Sequence, residues 1–218
     1  MPVNRDRILF EDEYLLGVNK LSGELVVKGK GKVEKLPLFD FLKQDYPGLR
    51  SVHRLDFETS GVVMFARTKE VYDRILETNF EEWTKVYTAL VMGRIGRTMG
   101  IVRTPLPART GKGMVEAHTE YTVLDRFANS SLIEAKIKTG RHHQIRKHLA
   151  SIGHPLVLDS LYGHEKFNRL FTKEFGYRRF FLHATRIEMK HPVTGKDIFI
   201  EAPLPKPFTA IVKRLREI

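Results

Sequence analysis

Residues 51–68, SVHRLDFETSGVVMFART, decide how the chain is read. Val62 to Ala66 is a continuous apolar run, short enough for a strand buried on both faces. Thr68 then caps a helix, with Val71, Tyr72, Ile75 and Leu76 at helical spacing behind it. Ahead of the run, Thr59-Ser60-Gly61 marks a turn, and ahead of the turn stands one carboxylate, Asp56, two residues after Arg54. An Asx or Ser/Thr turn that satisfies its own backbone accounts for such an aspartate at least as well as chemistry does. If the segment is extended, Arg54 shares a side with Asp56, and a nearby cation keeps a partly buried carboxylate ionised, as a nucleophile requires.

Working outward, Ile8–Phe10, Tyr14–Val18 and Glu24–Val27 read as short strands, and Leu36 to Tyr46 as a helix with Pro37 in its first turn and Pro47-Gly48 as its stop. Lys85 to Met92 alternates, which puts Lys85, Tyr87, Ala89 and Val91 on one face. Tyr121–Leu124 and Leu132–Lys138 are half-buried strands by the same pattern. Thr139-Gly140 ends the latter, and RHHQIRKHLASIG follows as a helix with Ile145, Leu149 and Ile152 on its apolar face. A hairpin around HPVTGK and a last helix from Pro207 complete the chain. Strands that do not alternate one-for-one with helices predict an α+β fold. Its sheet should be largely antiparallel or mixed, flanked by helices and loops. With no linker or repeat, residues 1–218 are expected to form one domain.

The chain has 218 residues, no cysteine and a net charge of +11. Thiolate chemistry and Cys-ligated metals are thereby excluded, and a reducing compartment, the cytoplasm, is expected. Placement of the charge says more than its size. No acid occurs from Thr84 to Val115, where Lys85, Arg94, Arg97, Arg103, Arg109 and Lys112 fall. A second acid-free window, Ala135 to Leu158, carries Lys136, Lys138, Arg141, Arg146, Lys147 and four histidines. A polyanion held in a basic cleft is the expected partner, and a membrane is not. Lys85, Arg141, His143 and Lys147 are the candidate contacts to that polyanion in these windows. His142, His143 and His148 lack the spacing of a metal-binding pair, and no HExxH occurs; they are expected to contact phosphate or cap the helix start. Neither a nucleotide cofactor nor a metal is expected, and no GxSxG elbow supports a serine triad.

Taken together, HRLDFETSG at 53–61, KVYTALVMG at 85–93, KTGRHHQIRKHLASIGHPL at 138–156 and FLHATRIEMKHP at 181–192 resemble, in order, the motifs of the RluA family of RNA pseudouridine synthases. The resemblance runs from about Ile8 to EAPLP at 201–205. It implies isomerisation of uridine in structured RNA, 23S rRNA or tRNA or both, without cofactor or metal, and a monomer is expected. Asp56 takes the place of the catalytic aspartate. Tyr87 matches the tyrosine packed on the target base, Arg146 the arginine that pairs with the aspartate, and Leu182 an apolar residue of the base pocket. Arg54 joins them as a substrate contact. A base inside a helix hides its glycosidic bond, so the nucleotide must be flipped out at a cost of a few kcal/mol. Two departures stand out: Lys20-Leu21-Ser22-Gly23 replaces Lys-Pro-Ser-Gly, and Leu158 replaces a glycine before Asp159, both read as outside the catalytic set. No S4-type RNA-binding domain is expected before Ile8, and the segment His164–Arg179 is the expected aid to RNA binding. The competing readings are a catalytically silent RNA-binding or ribosome-assembly module on the same fold, and a base-excision glycosylase, which has no motif support.

Overall fold

The computed structural model describes residues 3–29, 36–78, 80, 82–108 and 111–218. After a 3-10 turn at Arg5–Arg7 come β1 (Ile8–Glu11), β2 (Leu15–Lys20), α1 (Leu38–Asp45), β3 (Arg50–Ser51), β4 (Ser60–Ala66) and α2 (Lys69–Glu77). There follow β5 (Thr84–Met92), β6 (Met99–Val102), β7 (Leu106–Pro107), β8 (Met114–Val115), β9 (Thr119–Arg126) and β10 (Ser130–Ile137). Last come α3 (Gln144–Ser151), α4 (Glu165–Phe175), β11 (Leu182–Lys190), β12 (Asp197–Glu201) and α5 (Lys206–Arg216). The fold is α+β, and the strand pairings described by register are antiparallel. Two compact units divide the chain, Met1–Thr84 with Ala184–Pro203 and Lys85–His183 with Leu204–Ile218.

In the first unit the strand order is β1-β2-β4-β11, with β3 on β4 and β12 on β11. All of β4 is buried, as its unbroken apolar run requires. Val62 and Met64 of β4 share a core with Val71 and Ile75 of α2 and with Ile187, Met189 and Ile200. The Thr68 hydroxyl caps α2 by accepting from the Val71 N–H at 3.3 Å. Gly61, at φ +110°, could be no other residue: a Cβ there would lie 2.1 Å from the Ala184 carbonyl oxygen. The strand expected at Glu24–Val27 does not form. The Leu25 and Val26 carbonyls accept from the Leu38 and Phe39 N–H groups at the start of α1, at 2.8 and 3.0 Å, so they serve a helix end instead of a ladder.

In the second unit the order is β5-β10-β9-β6. β5 and β10 pair from Ser130↔Met92 to Ile137↔Lys85. β9 is half-buried as its alternation predicts, but β5 is buried on both faces between its end residues. α3 is fastened to the start of β9 from two consecutive turns. Gln144 donates to the His118 carbonyl at 2.9 Å, and the His148 Nδ1 lies 2.7 Å from the Thr119 hydroxyl. Helix α4 was not foreseen. Its cap is His164, whose Nδ1 accepts from the Phe167 N–H at 3.2 Å, and histidine is not a usual signal there. Three aromatics, Phe167, Phe171 and Phe175, line one face of it, and Phe171 meets Phe181 edge-on at 5.8 Å. Strand β6 was missed because it breaks the usual pattern, exposing Met99 and Ile101.

Candidate active site

Asp56 sits half-buried on the loop between β3 and β4, flanked by buried Leu55 and by exposed Arg54 and Phe57. Two anchors hold this loop. Upstream, the His53 Nε2 accepts from the Met64 N–H of β4 at 3.0 Å, which leaves that nitrogen unprotonated. Downstream, the fully buried Lys20 at the end of β2 donates to three carbonyls, Leu21 at 3.0 Å, Phe57 at 3.1 Å and Thr59 at 2.5 Å. The Phe57 carbonyl also accepts from the Gly23 N–H at 2.8 Å, and the Asp56 carbonyl accepts from Thr59 at 3.2 Å. A turn therefore exists here, as the structural reading of Thr-Ser-Gly expects, and it is made by backbone groups.

Lys20 was not singled out as a site residue, and this anchoring is its physical role. A buried ammonium is tolerable only when its donors are used, and three carbonyls use them. Lys20→Met withdraws that donor from the Asp56 loop and is expected to cost about 2–3 kcal/mol of stability. Urea unfolding measures it; a variant as stable as the parent would show that the loop holds itself.

The second unit carries the other expected site residues. Tyr87, 7% exposed, lies in β5 opposite Ala135 of β10, and Leu182, 6% exposed, opens β11. The segment ahead of Leu182 runs beside β5, since the Leu90 N–H donates to the Phe181 carbonyl at 3.2 Å. Lys85 is only 6% exposed, and burial pushes its ammonium down to about 8. Its Nζ lies so near the Thr139-Gly140 turn that a methyl group on Gly140 would meet it at 3.7 Å.

Lys85 thus belongs with the buried residues of its unit, apart from the surface cations. Its folded-state pKa lies below its unfolded one, so the unfolded chain binds the extra proton between about pH 8 and 10.5. Lys85 therefore weakens the fold in full below pH 8, and the penalty fades as pH rises through that window. Lys85→Met should raise the melting temperature at pH 7 while impairing activity. The gain should shrink by pH 10, and a gain independent of pH would exclude desolvation as its cause.

Arg146 is 5% exposed on α3 and makes a two-point ion pair with Asp159, Nε to Oδ2 at 2.7 Å and Nη2 to Oδ1 at 2.8 Å. Its guanidinium also lies 4.6 Å from the centre of the Phe180 ring and 5.2 Å from that of Tyr162. Burial opposes the charge on Asp159. Hydrogen bonds from Arg146 and from the Leu161 and Tyr162 N–H groups outweigh it and hold the carboxyl below its usual range. Leu158 was read as lying outside the catalytic set and Asp159 was not singled out; the structure ties Asp159, the next residue, directly to Arg146. A signal existed, because Asp159 is the acid that ends the second acid-free window.

Arg94, Arg97, Arg103, Lys112, Lys138 and Arg141 are exposed, and all belong to the second unit; Lys147 is half-buried, and Arg109 lies outside the described residues. The histidines differ from one another. His148 contacts neither phosphate nor a helix start: it is fully buried between Thr119 and the Thr104 carbonyl, and burial pushes its pKa below the usual range. His143 does sit at the N-cap of α3, in the left-handed conformation, with its Nδ1 3.1 Å from the Tyr162 hydroxyl and its ring stacked on His142 at 3.7 Å. Among the described residues no group of three His, Asp or Glu could hold a metal ion, and no helix is long and apolar enough to cross a membrane.

A family described as RNA pseudouridylate synthase matches residues 14–151. The "Ribosomal large subunit pseudouridine synthase C" of Vibrio vulnificus (strain CMCP6) is 35% identical over 222 residues, covering 97% of this chain and 70% of that protein. Its counterpart in Pasteurella multocida (strain Pm70) is 37% identical over 224 residues, covering 97% and 68%. Among solved structures, "Human RNA Pseudouridylate Synthase Domain Containing 4" has a TM-score of 0.80 at 26% identity, covering 97% of this chain and 93% of that one.

Proposed function

The chain belongs to the RNA pseudouridylate synthase family, and from that premise we propose that it converts uridine of large-subunit ribosomal RNA to pseudouridine with Asp56 as the catalytic group. The reaction breaks the N1–C1′ bond of the target nucleotide and joins C1′ to C5 of the same base. The C5 proton leaves and N1 gains one, so the mass of the RNA does not change. A carboxylate is the one protein group the chemistry demands, whether it adds to the base, attacks C1′ or takes the C2′ proton. The observation that carries the assignment is the Asp56 loop. It presents an acid, between an exposed arginine and an exposed aromatic, on a backbone pinned by a buried lysine.

Tyr87 and Leu182 are the proposed walls for the flipped base, Arg54 a further substrate contact, and Arg146 the cation that favours an ionised aspartate. Arg141, His143 and Lys147 are the proposed RNA contacts, without the buried Lys85, and the exposed arginines of the second unit add phosphate contacts that offset unstacking. The relatives' names favour ribosomal RNA over tRNA. Both units are proposed to work as one catalytic domain, as a cytoplasmic monomer. Mapping pseudouridine by carbodiimide-stop sequencing in cells with and without the gene tests the reading. A site missing from large-subunit RNA supports it, a site missing from tRNA alone reassigns the substrate, and unchanged maps leave an RNA-binding module without catalysis.

A further inference from the structure

Leu158 is buried and holds φ at +66°, a conformation in which a branched side chain is strained and glycine is not. Something must hold it there. Asn168, on the first turn of α4, grips the Leu158–Asp159 peptide from both ends: its Oδ1 accepts from the Leu158 N–H at 2.8 Å, and its Nδ2 donates to the Asp159 carbonyl at 3.0 Å. The Gly163 N–H donates to that same carbonyl at 3.0 Å, and a Cβ on Gly163 would sit 2.1 Å from it, so the corner is closed tightly. The Asp159 side chain leaves this corner to take Arg146 side-on with both oxygens.

We propose that Asn168 is a positioning residue of the reaction: by clamping the left-handed Leu158 and the peptide after it, it fixes the Asp159 carboxylate and, through that, the Arg146 guanidinium. The proposal rests on the reading that Arg146 serves catalysis. Without the clamp, Leu158 relaxes toward negative φ, the Asp159 Cα turns, and a bidentate pair that tolerates little misalignment becomes a single contact. No direct contact of Asn168 with RNA is required, so the loss should fall on kcat and spare KM.

The test is single-turnover and steady-state pseudouridine formation on large-subunit RNA, well below the unfolding transition. Asn168→Ala should lower kcat about tenfold and change KM less than threefold. The decisive comparison is made in a Leu158→Gly background, where glycine adopts the left-handed conformation unaided: adding Asn168→Ala there should cost less than twofold. This pair also serves if Asn168→Ala alone does not fold. A tenfold loss in both backgrounds, or a lowered melting temperature with unchanged kcat, overturns the proposal. Arg146→Ala is measured alongside. If that variant keeps the parental kcat, the catalytic reading of Arg146 has failed and the clamp has nothing to position. If it loses activity while Asn168→Ala does not, the clamp alone is refuted.

Discussion

Asp56→Asn should abolish pseudouridine formation, lowering the rate at least about 10³-fold, while leaving the protein folded and its affinity for RNA close to that of the parent. The amide has nearly the volume of the carboxylate. The loop that carries it is fixed by bonds that the substitution does not touch: the Asp56 carbonyl to Thr59 and the Lys20 ammonium to its neighbours. The proposed phosphate contacts lie on other residues, and contacts of that kind supply much of the affinity of a nucleic-acid complex. Tritium release from 5-tritiated uridine in RNA reads the chemistry, and filter binding reads the complex. Residual turnover within tenfold of the parent would mean that the aspartate supports the loop and does not act on the base. An RNA that loses a base, instead of keeping its mass, would point to a glycosylase.

Arg146→Ala should damage both activity and stability, for a specific structural reason. The charge left stranded is that of Asp159, which is 1% exposed. Removing one partner of a buried pair costs about 3–5 kcal/mol, or a fall of roughly 10 °C in melting temperature for a chain of this length. The pH dependence supplies a check with a definite sign. In the parent, Asp159 is held below its usual range, so its stabilising contribution is present above the unfolded value and is lost as pH falls through the folded one. In Arg146→Ala only the Leu161 and Tyr162 N–H groups still oppose burial, so the carboxyl rises out of that range. Its penalty is therefore largest near neutrality and relieved on acidification. The stability gap between the two proteins should narrow from pH 7 toward pH 4, and a gap that stays constant would mean the pair contributes through packing alone. Arg146→Lys should recover little, because an ammonium cannot reproduce the side-on geometry.

The strands and helices that pattern reveals best were legible. Val62–Ala66 reads as doubly buried and is, and the spacing of Val71 and Ile75 behind Thr68 marks α2 correctly. What failed to show were features whose cause lies elsewhere in the chain. The backbone of Glu24–Val27 has strand-like composition, but its carbonyls are claimed by α1. α4 begins on a histidine, and its Phe171 packs on Phe181, beyond the end of the helix itself. For the site, motif residues were visible one by one, and the groups that hold them were not. Lys20, Asp159 and Asn168 act through bonds reaching 39, 13 and 10 residues along the chain, a range no local pattern encodes. His148 misled because an imidazole within a basic window looks like a phosphate contact until its burial is known.

The two units are interleaved along the chain, with Lys85–His183 emerging between the halves of the first. Strand β4 takes β11 as a neighbour, and its Val62 and Met64 pack with Ile187 and Met189. During translation at about 5–20 residues per second, the early strands must wait on the order of 5–20 s outside the ribosome before that neighbour arrives. For that interval a strand buried along its whole length in the finished fold has an open edge. Nascent chains stalled before residue 184 should consequently be held by trigger-factor-like chaperones and released once the hairpin of β11 and β12 has been made.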